Sequence, residues 1–204
     1  MMLATQPTLH REDGFSSGNR LGKLSRVSID GRCFARSSWE EAEGSAIAIV
    51  VDHSDSMDTI AEIFIPVAAA LAESLASVPD VTLSVWRYGS TVQKLNRPLD
   101  LAQYRSMGGT ATDAAVRFAG RWLDATGFTR KTLILFTDGQ PNSIPATNHE
   151  VVEFRRTGGR ILVGSIGYCR QDCALSMPGA CIFDVNPQTA AASLQTTVRR
   201  LMRT

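Results

Sequence analysis

The sequence lacks any apolar run near the ~20 residues needed to cross a bilayer, and its polar start over 1–20 has no hydrophobic core of a signal peptide. The expectation is a cytoplasmic protein without a membrane segment. Charge of one sign is missing too: 21 Lys and Arg face 20 Asp and Glu, a formal net charge of +1. A long-range basic field for nucleic acid or anionic lipid is therefore excluded, and recognition must be local. Cysteine is scarce, with four residues, Cys33, Cys169, Cys173 and Cys181, in a chain of 204. That length buries a core without disulfide staples, so reduced thiols are expected. No GxxxxGK[ST] phosphate loop and no GxSxG nucleophile elbow occur.

What is present is an alternation. SAIAIVVD (45–52) is a continuous apolar run bounded by polar residues, the pattern of a strand buried on both faces. Ile60, Phe64, Val67, Leu71, Leu75 and Val78 then recur every three or four residues and predict a helix over 56–77. Pro66 falls with Glu62 and Glu73 on its wetter face, which predicts a kink rather than a break. VTLSVWRYG predicts a strand and TVQKLNR its short antiparallel partner. A helix over 112–125 follows, with Ala115, Phe118, Ala119 and Trp122 inward. KTLILFTDG, a helix over 149–157, RILVGSIG, CIFDV and a closing helix over 187–202 complete the series. Strands alternating with helices predict an α/β fold, a doubly wound, mostly parallel sheet flanked by helices with one short antiparallel edge strand. The expected organisation is a flexible arm over 1–20, a lead-in helix and strand over 21–44, and one domain over 45–204.

In such a sheet, functional groups gather beyond the carboxyl ends of the strands. Three segments fall at a strand end or a helix start: Asp52-His53-Ser54-Asp55-Ser56, Gly108-Gly109-Thr110 and Thr137-Asp138-Gly139. All carry small oxygen donors. A carboxylate and hydroxyl set without imidazole or thiolate suits Mg²⁺ or Mn²⁺ better than zinc or copper. The spacing Asp-x-Ser-x-Ser, in a loop curling into a helix, turns alternate side chains toward one point.

These residues resemble the von Willebrand factor A domains and their metal-ion-dependent adhesion site: DxSxS, then Thr, then Asp, in that order and after the appropriate strands. The resemblance covers 45–202. It implies a metal site of Asp52, Ser54, Ser56, Thr110 and Asp138, one coordination position left for a partner's carboxylate, and a partner-facing surface of His53, Asp55, Gly109 and Gly139. Asp55 stands where the family often has Gly; turned inward it adds a carboxylate beside the ion, and turned outward it is a solvated loop residue. Asp113 reads as a charge at the start of the helix after Thr110.

Within the family, GNRLGKLSR and the following strand with Arg32 and Arg36 resemble the A-domain end of cobaltochelatase subunits and nitric-oxide-reductase activation proteins. That resemblance implies an AAA+ ATPase of the MoxR type as partner. The expected function is thus a Mg²⁺- or Mn²⁺-dependent protein–protein interaction module that captures an acidic side chain, with no nucleic-acid or membrane partner. Two alternatives are a metal-assisted enzyme or chelatase subunit, and a structural module with a degenerate metal site. Against catalysis, the haloacid-dehalogenase-like pattern needs DxD, and Ser54 occupies the place of its acid–base carboxylate. Cys169, Cys173 and Cys181, spaced C-x3-C-x7-C, predict a long loop of unpaired thiols, with zinc or a redox disulfide as the alternatives. Arg199, Arg200 and Arg203 fit the end of the closing helix, where cations complement the helix dipole.

Overall fold

A computed structural model describes residues 9–15, 20–21, 34–39, 44–165 and 169–185. The chain divides between Glu43 and Gly44. In the first unit, β1 (Leu9–Phe15) and β2 (Arg20–Leu21) both pair antiparallel with β3 (Phe34–Trp39), giving the order β1-β3-β2. Leu9–Phe15 is a strand where composition predicted an irregular arm, because backbone pairing to β3 supplies the order that a local hydrophobic period does not. The strand predicted at CFARSSW is β3; of the helix expected over 21–30, Leu21 is in β2, and residues 22–30 and Cys33 lie outside the described residues.

The second unit is a six-stranded sheet in the order β6-β5-β4-β7-β8-β9. Its strands are β4 (Ser45–Asp52), β5 (Val81–Tyr88), β6 (Val92–Leu95), β7 (Arg130–Phe136), β8 (Arg160–Ser165) and β9 (Cys181–Asp184). All neighbours run parallel except β6, which is antiparallel to β5 at the edge. The doubly wound, mostly parallel sheet read from the alternation is the observed fold. Every residue of β4 is buried, as its continuous apolar run requires of a strand covered on both faces.

Among the described residues, four α-helices flank the sheet: α1 (Ala61–Ala76), α2 (Thr112–Ala125), α3 (Ile144–Arg156) and α4 (Arg170–Ser176). Helix α1 follows a 3₁₀ turn over Asp55–Thr59 and runs unbroken through Pro66, which is exposed with Glu62 and Glu73. Its buried face, Phe64, Ala68, Leu71 and Leu75, packs in one core with Ile47, Ile49 and Val51 of β4. Phe136 anchors that core, with Phe64 and Phe183 each edge-on to its ring at 6.1 Å.

Helix α2 begins and ends where the sequence predicts, but its inward face is Ala115, Val116, Ala119 and Leu123. Phe118, expected inside, is 47% exposed, and Trp122 is half-buried beneath Lys94. Helix α3 starts five residues before the predicted 149, capped by Ser143 Oγ, which accepts the Ala146 N–H, with Pro145 in the first turn. The cysteine-bearing segment expected as a long loop contains helix α4. The closing helix expected over 187–202, with its three arginines, lies outside the described residues. Among the described residues, no helix is long and apolar enough to cross a membrane.

Candidate metal and partner site

Parallel neighbours bring the carboxyl ends of β4, β5 and β7 to one level, and the loops that leave them are zipped together by backbone bonds. The Met107 N–H donates to the His53 carbonyl at 2.7 Å, and the Asp55 N–H donates to the Gly108 carbonyl at 3.0 Å. Thr110 is tied in turn to the loop after β7: its N–H donates to Asn142 Oδ1 at 3.0 Å, and the Asn142 N–H donates to the Thr110 carbonyl at 2.9 Å. The three segments separated in sequence thus form one cluster.

Asp52 is its centre and is fully buried at the end of β4. Its Oδ1 accepts the Ser54 N–H at 2.9 Å. Its Oδ2 accepts two hydroxyls, Tyr88 at 3.0 Å and Thr137 at 2.8 Å. Burial pushes the Asp52 carboxyl up to about 6; the bonds from Ser54 and Thr137 offset part of this, and the nearby negative charge of Asp138 adds to it. Asp138 is also buried, and its Oδ1 accepts the Gln140 N–H at 3.0 Å. Neither carboxylate has a cationic side chain in an ion pair among the described residues. Ser54 and Ser56 place their hydroxyl oxygens 3.0 Å apart. Thr110 is buried in the loop that Asn142 fastens.

Two of the residues expected on the partner surface are elsewhere. His53 has no exposed surface: its Nδ1–H donates to the Arg105 carbonyl at 3.2 Å, and its ring lies 5.0 Å from that of Tyr104. Burial lowers its pKa to about 4, with the charge of Arg87 a smaller cause in the same direction. A partner cannot reach it, because alternation along the chain out of β4 sends its side chain into the protein. Gly139 is likewise buried, at φ +83°, and a Cβ there would stand 2.5 Å from the Cys173 N, so helix α4 claims the space a partner would need. Asp55 and Gly109 are exposed. The Asp55 carboxylate turns outward and accepts the Ser106 hydroxyl.

Sequence reasoning missed Tyr88, Thr137 as a partner of Asp52, Asn142, and Tyr104, whose hydroxyl bonds the Ser54 carbonyl at 3.2 Å and Asp58 at 2.6 Å. Only Thr137 lay in a motif that signalled it. Cys169 and Cys173 are buried, and Cys181 is exposed. Cys173 sits against the Thr137 carbonyl at 3.8 Å, and burial pushes its thiol up to about 12. Asp113 occupies the first turn of α2, as expected of a charge at a helix start.

Among the described residues, no three His, Cys, Asp or Glu gather as a metal cluster. The set here has two carboxylates, and its remaining donors are hydroxyls. It fits a small hard cation on two counts. Adjacent ligands of an octahedral ion at ~2.0–2.1 Å lie about 2.9 Å apart, √2 times the bond length, close to the spacing of the two serine oxygens. In addition, among the described residues neither of these two buried, mutually repelling carboxylates has an ion-pair partner.

A family model described as VWA domain containing CoxE-like protein matches residues 31–165; it names neither cobaltochelatase subunits nor nitric-oxide-reductase activation proteins. No curated protein matches the chain. Among solved structures, the pilus adhesin SpaC of Lactobacillus rhamnosus GG is similar at a TM-score of 0.65 and 16% identity, over 80% of this chain and 30% of the adhesin. The manganese-loaded TRAP protein of Plasmodium vivax is similar at 0.61 and 16% identity, over 95% of this chain and 78% of that one. Proximal thread matrix protein 1 of the mussel byssus, with a zinc-occupied MIDAS motif, is similar at 0.61 and 18% identity, over 78% of this chain and 46% of that one. The chain therefore spans less than half the length of the adhesin and of the thread protein, and at these identities the likeness is one of fold.

Proposed function

The chain belongs to the family of VWA-domain-containing CoxE-like proteins, and from that premise we propose that it is a non-enzymatic protein–protein interaction module whose binding surface is the loop cluster beyond β4, β5 and β7. The observation that carries this reading is the convergence of Asp52, Ser54, Ser56, Thr110 and Asp138 on one zipped set of loops, with Asp55, Ser56, Gly109 and Asn142 exposed at its rim.

In the finer form of the proposal those five residues hold Mg²⁺ or Mn²⁺. When bound, the ion supplies a Lewis-acidic positive centre that accepts a carboxylate oxygen of a partner's Asp or Glu. This chain's part is to position: the bond from Ser54 N orients Asp52, the Asn142 pair fixes Thr110, and the Ser106 contact holds Asp55 outward. Two solved relatives in fold carry manganese or zinc, which supports the reading. The proposed source of the acidic side chain is an AAA+ ATPase of the MoxR type, on the family resemblance alone.

A second reading, a structural module with a degenerate metal site, is favoured by one specific observation: Asp52 already accepts three hydrogen bonds from the protein, so the carboxylate is satisfied without an ion. Thermal melts in EDTA and in Mg²⁺ or Mn²⁺ separate the two. A site that binds the ion only when folded gains about 2.7 kcal/mol at a hundred times the dissociation constant. That gain must vanish in Ser54→Ala. Identical melts with and without ion select the degenerate site and discard the metal-dependent form.

A further inference from the structure

We propose that Tyr88 decides which ion the loop cluster prefers, by closing one oxygen of Asp52 and leaving only the other to face the ion. The inference rests on the cation reading above and deepens it. Each carboxylate oxygen accepts at two lone pairs. At Oδ2 both are taken, by the hydroxyls of Tyr88 at 3.0 Å and Thr137 at 2.8 Å. Oδ1 accepts the Ser54 N–H at 2.9 Å and is free of both hydroxyls that close Oδ2. Asp52 can therefore address an ion, or a water on it, through Oδ1 alone.

The closure is built in. Tyr88 is the register partner of Asp52 across β4 and β5, so backbone pairing sets the reach of the phenol. Its side chain has no exposed surface, and its oxygen also meets Thr112 Oγ1 at 3.3 Å at the start of α2. The ring is enclosed by protein, and its hydroxyl is held between Asp52 and Thr112.

A carboxylate restricted to one oxygen disfavours large ions. Ca²⁺ gathers six to eight oxygens, often with bidentate carboxylates, whereas Mg²⁺ demands a compact octahedron of single oxygens. The 3.0 Å spacing of Ser54 and Ser56 points the same way, and it comes from residues that Tyr88 does not touch.

The test uses the full chain, with Mn²⁺ binding read by the electron paramagnetic resonance of the free ion and Mg²⁺ and Ca²⁺ read by competition. Wild type is expected to bind Mg²⁺ more tightly than Ca²⁺. Tyr88→Phe keeps the ring and removes the donor, and the Mg²⁺-to-Ca²⁺ preference is expected to fall about tenfold, the scale of one hydrogen bond to a charged group. Thr137→Val frees the other lone pair and is expected to shift the preference in the same direction; it decides the matter should Tyr88→Phe fail to fold. Melts in EDTA establish that the variants are folded. A Tyr88 of merely structural importance lowers the melting temperature in EDTA without moving the ratio. Folded variants that bind Mn²⁺ and keep the wild-type ratio overturn the proposal. Absence of any divalent binding by wild type instead overturns the cation reading beneath it.

Discussion

Asn142 and Thr110 hold each other by two hydrogen bonds, one from each backbone N–H: Thr110 donates to the Asn142 side-chain oxygen and Asn142 to the Thr110 carbonyl. Nothing else in the described cluster fastens the loop after β7 to the loop before α2 twice over. Asn142→Ala leaves the Thr110 amide without its acceptor, and a loss of about 1 kcal/mol is expected in urea denaturation. Asn142→Asp, which keeps an acceptor, should recover most of it. Any stabilisation by Mg²⁺ or Mn²⁺ should weaken in the alanine variant, because Thr110 is no longer fixed.

The contributions of Asp52 and His53 to the pH dependence of stability should largely cancel. Asp52 titrates at about 6 when folded against 3.8 when free, so the folded chain holds the extra proton and stability is lost as pH rises through that interval. His53 titrates at about 4 when folded against 6.5 when free, so the unfolded chain holds the extra proton and stability is lost as pH falls through its interval. The two slopes oppose. Asp52→Asn should uncover the His53 slope, a fall of about 3 kcal/mol from pH 6.5 to 4 in denaturation at fixed ionic strength. His53→Gln should show the opposite slope between pH 6 and 3.8.

Gly139 and Gly127 share a positive φ, +83° and +75°, but differ in surroundings: a Cβ at Gly139 meets Cys173, whereas one at Gly127 meets nothing within 4 Å. Gly127→Ala should cost about 1 kcal/mol from backbone strain alone. Gly139→Ala adds a collision with helix α4, and about 2 kcal/mol or more is expected from the same denaturation series. Equal costs would show that the contact with Cys173 does not constrain the loop.

Phe136→Ala should destabilise by about 3–5 kcal/mol, since it opens a cavity between Phe64 and Phe183. Phe118→Ala should change stability by less than about 1 kcal/mol, since that ring is 47% exposed. The pair checks the corrected inward face of α2.

The sheet was legible because a strand covered on both faces must be apolar throughout, and SAIAIVVD admits few other readings. The order of DxSxS, GGT and TDG was legible because each follows or precedes a periodic element. The face of α2 was not: with few large apolar residues, both 115-118-119-122 and 115-116-119-123 satisfy a helical period, and only the neighbouring elements choose. Helix α4 was missed because seven residues show hardly two turns of any period. Tyr88 was invisible for a different reason. A tyrosine near the end of a strand reads as core, and the bond to Asp52 joins residues 36 positions apart.

That bond has a consequence for the lifetime of the site. Tyr88 and Asp52 belong to β5 and β4, the latter hydrogen-bonded to parallel neighbours on both sides and buried along its whole length. Amides in such a strand exchange with solvent chiefly when the whole domain opens. Geometry anchored there does not fray ahead of the fold. Hydrogen exchange at Val51 and Asp52 should therefore track global unfolding, and the recognition surface should disappear at the rate at which the domain unfolds, with no earlier partly open state in which the fold persists and the site is gone.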